Sequence, residues 1–217
     1  VYALADAIDQ RYHALVLLAM FSSLRWGELC ALRRCDIDLA ARTVRVTRQL
    51  SEIRGGFAFG PPKSAAGTRV VAIPDVIISV IQWHLTCFAQ PGDEGLIFTS
   101  PEGRLLHHSN FRRRVWLGAL KTAGLGELHF HDLRHSGNTL AASAGASLRE
   151  LMDRMGHDSE RAAMIYLHGS DARQHQIADS LSKLARDELR RSGTAKAGKP
   201  ARKPSGTQRA RRPGRAS

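Results

Sequence analysis

Thiols are scarce in this chain: Cys30, Cys35 and Cys87 are the only three, and no two of them stand in a Cys-x-x-Cys spacing. That argues against a disulfide framework and fits an intracellular, cytoplasmic protein in which cysteines act as small core residues. Long apolar runs are missing as well. None approaches the roughly 20 residues that span a bilayer, and no signal peptide precedes the first helical stretch, so no membrane role is expected. The chain begins at Val1 rather than Met, which suggests a piece of something longer.

Acidic residues are absent from the end of the chain. Leu189 to Ser217 holds ten Lys or Arg and no Asp or Glu, which leaves 22 basic against 20 acidic residues before it. Of the net charge of +12, only +2 therefore belongs to the preceding part. The residues between these cations are Gly, Pro, Ala and Ser, too little apolar surface to offset the entropy of ordering. Residues 192–217 are expected to be a disordered basic tail. Its natural partner is a polyanion, bound by counterion release, although a solvated solubility tail has the same composition. Residues 1–191 are long enough to bury one core and form one domain.

Within that domain the apolar period changes along the chain. Leu4, Ile8, Leu15 and Leu18 predict an amphipathic helix from Tyr2 to about Met20, and a second, short helix is expected from Trp26 to Leu32. TVRVTRQ at 43–49 alternates, with Val44 and Val46 on one face, and RVVAI at 69–73 reads as its partner strand. Gly55, Gly56, Gly60, Pro61 and Pro62 lie between them and predict tight turns in a small antiparallel sheet. Helix is expected again from Asp75 to Ala89, with a short extended piece at 96–100. Phe111 and Val115 share a face of the next helix, and residues 132–144 make another. Ser147 with Glu150 is a capping box, Ser159 is a cap candidate, and Ile177, Leu181 and Leu184 mark a last helix. The fold class is mainly α with a small antiparallel β-sheet, an α+β domain.

Several residues carry possible chemistry. His131 and Arg134, three apart in HDLRH, fall on one helix face and could clamp a tetrahedral anion, or form an exposed basic turn. Arg25 stands at a helix start, where the macrodipole disfavours a cation. Glu28 could pair with it, or Arg25 could be a plain surface residue. Lys63, placed at the tip of the expected hairpin, is either a solubility lysine or a mobile proton donor. Tyr166 sits among apolar residues and is either a core tyrosine or, with cationic neighbours, a nucleophile. The histidines 129, 131, 135 and 157 do not reproduce H-E-x-x-H, and the arginine among them would repel a cation, so neither zinc nor any other cofactor is expected.

Taken together, SLRWGEL, PKSAAGTRVVAIP, HDLRH and MGHDSERAAMIYLH resemble, in order and spacing, the catalytic domain of the tyrosine recombinases, the phage integrase family. The resemblance covers about residues 1–185. It implies site-specific cutting and rejoining of double-stranded DNA through a covalent 3′-phosphotyrosyl intermediate. It further implies that Tyr166 is the nucleophile and that Arg25 and Arg134 hold the non-bridging oxygens. His131 and His157 would complete the cradle, Lys63 would act as general acid, and Glu28 would support Arg25. Family members work as homotetramers on paired sites, exchanging a C-terminal segment for which Ile177 to Leu184 is the candidate. The helical core-binding domain that usually precedes the catalytic one is absent from this sequence, which implies a fragment or a truncated gene of a phage or mobile element. The competing expectations are a DNA-binding relic without cutting activity and strand relaxation of the type IB topoisomerase kind.

Overall fold

A computed structural model describes residues 1–156, 160–167, 178–179 and 181–187. The chain divides into two units, Val1–His168 and Gly169–Ser217. In the second, the described residues are helical, and the basic tail lies outside them. Ile177 and Ser159 also fall outside the described residues.

The first unit opens with two helices where the apolar pattern predicts one, α1 (Tyr2–Ala7) and α2 (Gln10–Ser22). The break has a local cause. Ile8 is extended and Asp9 caps α2, its carboxylate accepting from the Arg11 N–H at 2.8 Å, so the aspartate serves a helix start better than a helix interior. Every residue from Ala14 to Met20 is buried, which makes α2 the central helix, and α1, α4 (Ile78–Cys87) and α7 (Phe130–Ser143) pack around it. Between α2 and α4 come α3 (Trp26–Ala31) and the strands.

The expected pairing of 43–49 with 69–73 is present. Strand β2 (Thr43–Val46) lies between β1 (Ile37–Asp38) and β5 (Arg69–Ala72), antiparallel to both, with Val44 opposite Val71 and Val46 opposite Arg69. Val44, Val46 and Val71 are buried, as the alternation requires. A second, two-stranded sheet intervenes, β3 (Gln49–Ile53) with β4 (Gly56–Gly60). Its tip is Arg54–Gly55, where Gly55 takes φ +90°. Lys63 is therefore not at a hairpin tip. It sits in the loop after β4, because Pro61 and Pro62 cannot donate to a ladder and end the strand at Gly60.

The 96–100 stretch contributes only an isolated bridge, Leu96 to Arg33. Beyond it, α5 (His108–Phe111) runs through a π-helical turn (Arg112–Trp116) into α6 (Leu117–Thr122). The wider turn changes which residue faces inward. Phe111 and Trp116, five apart, are buried, while the expected partner Val115 is only half-buried. The rings of Tyr12, Trp26, Phe111, Trp116 and Phe130 form one aromatic cluster, and Phe130 is the first residue of α7.

Helix α8 (Leu148–Met155) starts at the predicted capping box: the Ser147 N–H donates to Glu150 at 2.7 Å, and the Glu150 N–H donates to the Ser147 hydroxyl at 3.3 Å. It ends at Gly156 in the left-handed region, φ +62°. The short α9 (Glu160–Met164) follows, and Tyr166 lies in the turn after it.

Candidate active site

The site is organised by one buried carboxylate. Glu28, in the first turn of α3, is 1% exposed. Its oxygens accept from the Arg25 N–H and from Arg25 Nη1, both at 2.8 Å, and from Arg69 Nη1 and Nη2 at 3.1 and 2.9 Å. This resolves the position of Arg25. A cation at a helix start is unfavourable alone, but the Glu28 charge in the same turn offsets it, so Arg25 is a partly buried, oriented side chain rather than a free surface residue. Burial by itself would raise the Glu28 carboxyl; the bonds from Arg69 and Arg25 outweigh it and hold the group below its ordinary value.

Arg69 was not expected as a site residue. The signal was present in the strand alternation, since Arg69 shares the inward face of β5 with buried Val71 and Ile73. An arginine on such a face needs a carboxylate partner.

Arg25 and Arg69 meet again, now joined by Arg134, at the end of α8. Arg69 Nε donates to the Arg154 carbonyl at 2.9 Å, Arg134 Nη2 to that of Met155 at 2.7 Å, and Arg25 Nη2 to that of Gly156 at 3.3 Å. The last carbonyls of a helix have no intrahelical donor and carry the negative end of its dipole, so this end attracts guanidiniums. Three consecutive orphan acceptors thus draw together side chains that are 44 and 65 residues apart in the chain, from Arg25 to Arg69 and from Arg69 to Arg134.

Arg134 is 3% exposed and also donates to the Ser23 carbonyl. Burial, followed by the charge of Arg25, pulls its guanidinium down to about 9, which still leaves it cationic at neutral pH. Its depth depends on Gly137, one turn on. A Cβ there would lie 1.9 Å from the Met20 carbonyl, so only glycine lets α7 approach α2 this closely. The expectation that His131 and Arg134 present one common face is modified by this depth. Arg134 points inward while His131 is exposed, its imidazole pulled down by partial burial, then by His135 and Arg134.

Tyr166 combines both sequence alternatives. The residue is half-buried against the small cluster of Leu151, Met155 and Ala163, while its hydroxyl reaches a polar partner, lying 2.5 Å from Nδ1 of His135. Its phenol also lies within electrostatic reach of Arg134. His135 in turn packs edge-to-face on His131, with ring centroids 4.8 Å apart. In the sequence His135 was weighed only among the four histidines for a metal and as the last residue of HDLRH, not as a partner of Tyr166.

The structure thus brings together Arg25, Glu28 and Arg134, and sets His131 and Tyr166 at the two rings flanking His135. Lys63 is exposed in its loop. The far end of that loop is fixed, because the Gly67 carbonyl accepts from Arg69 Nη1 at 2.9 Å. His157, the residue after Gly156, lies outside the described residues.

The domain is thus helical with a small antiparallel sheet, and it gathers an arginine pair at the end of α8, against which Tyr166 is half-buried. The chain belongs to the phage integrase family, whose description matches residues 1–173. It is 43% identical over 188 residues to a putative prophage phiRv2 integrase of Mycobacterium tuberculosis, covering 85% of this chain and 50% of that protein. It is 37% identical over 186 residues to the integrase of Mycobacterium phage L5, covering 84% of this chain and 50% of that one. The chain therefore spans about half the length of the curated relatives it matches. Its fold is that of the Tn1549 transposon integrase solved in complex with circular intermediate DNA, with a TM-score of 0.70 at 22% identity over 83% of this chain and 64% of that one.

Proposed function

We propose that this chain is the catalytic part of a site-specific DNA recombinase, with residues 1–191 as the catalytic domain and 192–217 as a basic tail that adds phosphate affinity. Tyr166 attacks the scissile phosphorus and forms a 3′-phosphotyrosyl link. Charge gathers on the non-bridging oxygens as it does so, and Arg25 and Arg134 stabilise that state more than the ground state. His131 and His157 donate hydrogen bonds to the same oxygens, and Lys63 on its exposed loop protonates the departing 5′ oxygen. Glu28 orients Arg25. The link conserves the bond for rejoining, so the reaction needs neither nucleotide hydrolysis nor a metal. The partner is double-stranded DNA, and the working assembly is a homotetramer on paired sites.

The observation that carries this reading is the convergence of Arg25 and Arg134 on adjacent carbonyls at the end of α8, with the Tyr166 hydroxyl bonded to His135 on α7, the helix that carries Arg134. Guanidiniums held at their carbonyls keep further N–H donors for a phosphate, since each carries five. The test is a library of nicked suicide duplexes. Intact protein should give a protein–DNA adduct that survives denaturant and is unaffected by chelator, and Tyr166→Phe should give none. Absence of any adduct, even with an upstream domain supplied, would replace this reading by a DNA-binding one.

A further inference from the structure

Among the described residues, the side chain hydrogen-bonded to the phenolic oxygen is one to which the resemblance gives no role. His135 Nδ1 lies 2.5 Å from the Tyr166 hydroxyl, inside the distance at which a general base takes a proton directly. Lys63 and His131 make no hydrogen bond to that hydroxyl among the described residues. Resting on the reading of Tyr166 as nucleophile, we propose that His135 is the general base for its attack.

The chemistry of the site suits this role. With its proton on Nε2, a neutral His135 accepts the Tyr166 hydroxyl at Nδ1, and a protonated ring could not. The ring lies between two neighbours, His131 with centroids 4.8 Å apart and Tyr166 with centroids 5.9 Å apart, with Nδ1 turned to the hydroxyl. A phenol has an ordinary value near 10, so at neutral pH it needs an acceptor in contact as its oxygen bonds to phosphorus. In the step, the Tyr166 Oη–P bond forms and the P–O5′ bond breaks. The phenolic proton moves to His135 Nδ1, and the 5′ oxygen takes a proton from the separate acid. Exposed as it is, His135 can return its extra proton to solvent from Nε2. In the reverse reaction it gives a proton back to the departing tyrosine.

The test is single-turnover adduct formation by the 217-residue protein, comparing His135→Ala and His135→Gln, with DNA binding and thermal stability measured alongside. Loss of a general base slows the step by about 10²–10⁴-fold. Both variants should be slowed to a similar extent with binding and folding unchanged, and the falling acid limb of the pH–rate profile should disappear. A substrate with sulfur at the bridging 5′ position, which leaves without a proton, should restore Lys63→Ala but neither His135 variant. Wild-type rates in His135→Ala overturn the proposal. Recovery of the rate in His135→Gln, which accepts a hydrogen bond but not a proton, reduces His135 to a positioning residue and also overturns it. If the unaltered protein gives no adduct, the recombinase reading fails instead. The hydrogen bond itself is read without DNA by NMR, as a change in the His135 Nδ1 nitrogen shift in Tyr166→Phe. An unchanged Nδ1 signal counts against the proposal.

Discussion

Arg69 and Glu28 face each other through two hydrogen bonds, 3.1 and 2.9 Å long, with side chains only 6% and 1% exposed. Removing one partner of such a buried pair leaves the other charge uncompensated, at a cost of about 3–5 kcal/mol. Glu28→Gln should therefore lower the urea midpoint strongly, and Arg69→Met should do the same. The pH dependence has a definite sign. The folded Glu28 carboxyl lies below its unfolded value, so its contribution is complete above the ordinary carboxylate range near 4.3 and is lost as pH falls through the folded value. Urea titrations from pH 7 downward should show an acid limb that is smaller in Glu28→Gln.

Gly137→Ala tests whether the depth of Arg134 is set by the approach of α7 to α2. The added Cβ would lie 1.9 Å from the Met20 carbonyl, which is backbone and cannot swing away. Overpacking of this kind costs about 1–3 kcal/mol, a fall of roughly 2–12 °C in Tm for a domain of this size. Adduct formation should fall with it, because α7 carries Arg134, His131 and His135. Calorimetry and the suicide-substrate assay are the measurements.

Arg134→Lys keeps the charge and removes the fork. A lysine reaches one of the Ser23 and Met155 carbonyls and leaves the other without its donor, a loss of about 1–3 kcal/mol in stability. If Arg134 holds the non-bridging oxygens as proposed, the effect on the reaction should be larger in proportion, about 10²–10³-fold in adduct rate. Equal losses in DNA affinity and rate would contradict this.

Deleting residues 192–217 removes eight Lys or Arg and no acid. If those cations neutralise phosphates, affinity for duplex DNA should drop and its dependence on salt should become shallower, by up to about 0.9 in the log–log slope for each phosphate left without its cation. Fluorescence anisotropy across a salt series measures it. The adduct rate at saturating DNA should stay the same.

Much of the frame was readable from one-dimensional pattern. Val44, Val46 and the capping box at Ser147 follow from local rules that tertiary packing did not disturb. The single helix expected from Tyr2 to Met20 failed at Asp9, where capping competes with helix continuation, and Phe111 paired inward with Trp116 because a π-turn shifts the period by one. The extra hairpin was hidden by its glycines, which read as turn residues although two of them begin and end β4. At the site, Arg25, Glu28 and Arg134 were visible as motif members, and their association is present. Arg69 was not singled out and His135 was weighed only as a metal ligand, because what defines each is a partner distant in sequence, 41 residues away for Arg69 and 31 for His135. His157 and Ile177 lie outside the described residues.

The end of α8 is where the arginines and the segment that leads to Tyr166 come together. Gly156 takes a donor from Arg25, and the same strand of chain arrives at Tyr166 ten residues later. A side chain at Gly156 would meet Arg69 Nη1 at 2.8 Å and the Ala66 carbonyl at 2.9 Å, at a backbone φ of +62°, so this corner is reserved for glycine and any replacement is felt by Arg25 and Arg69 together.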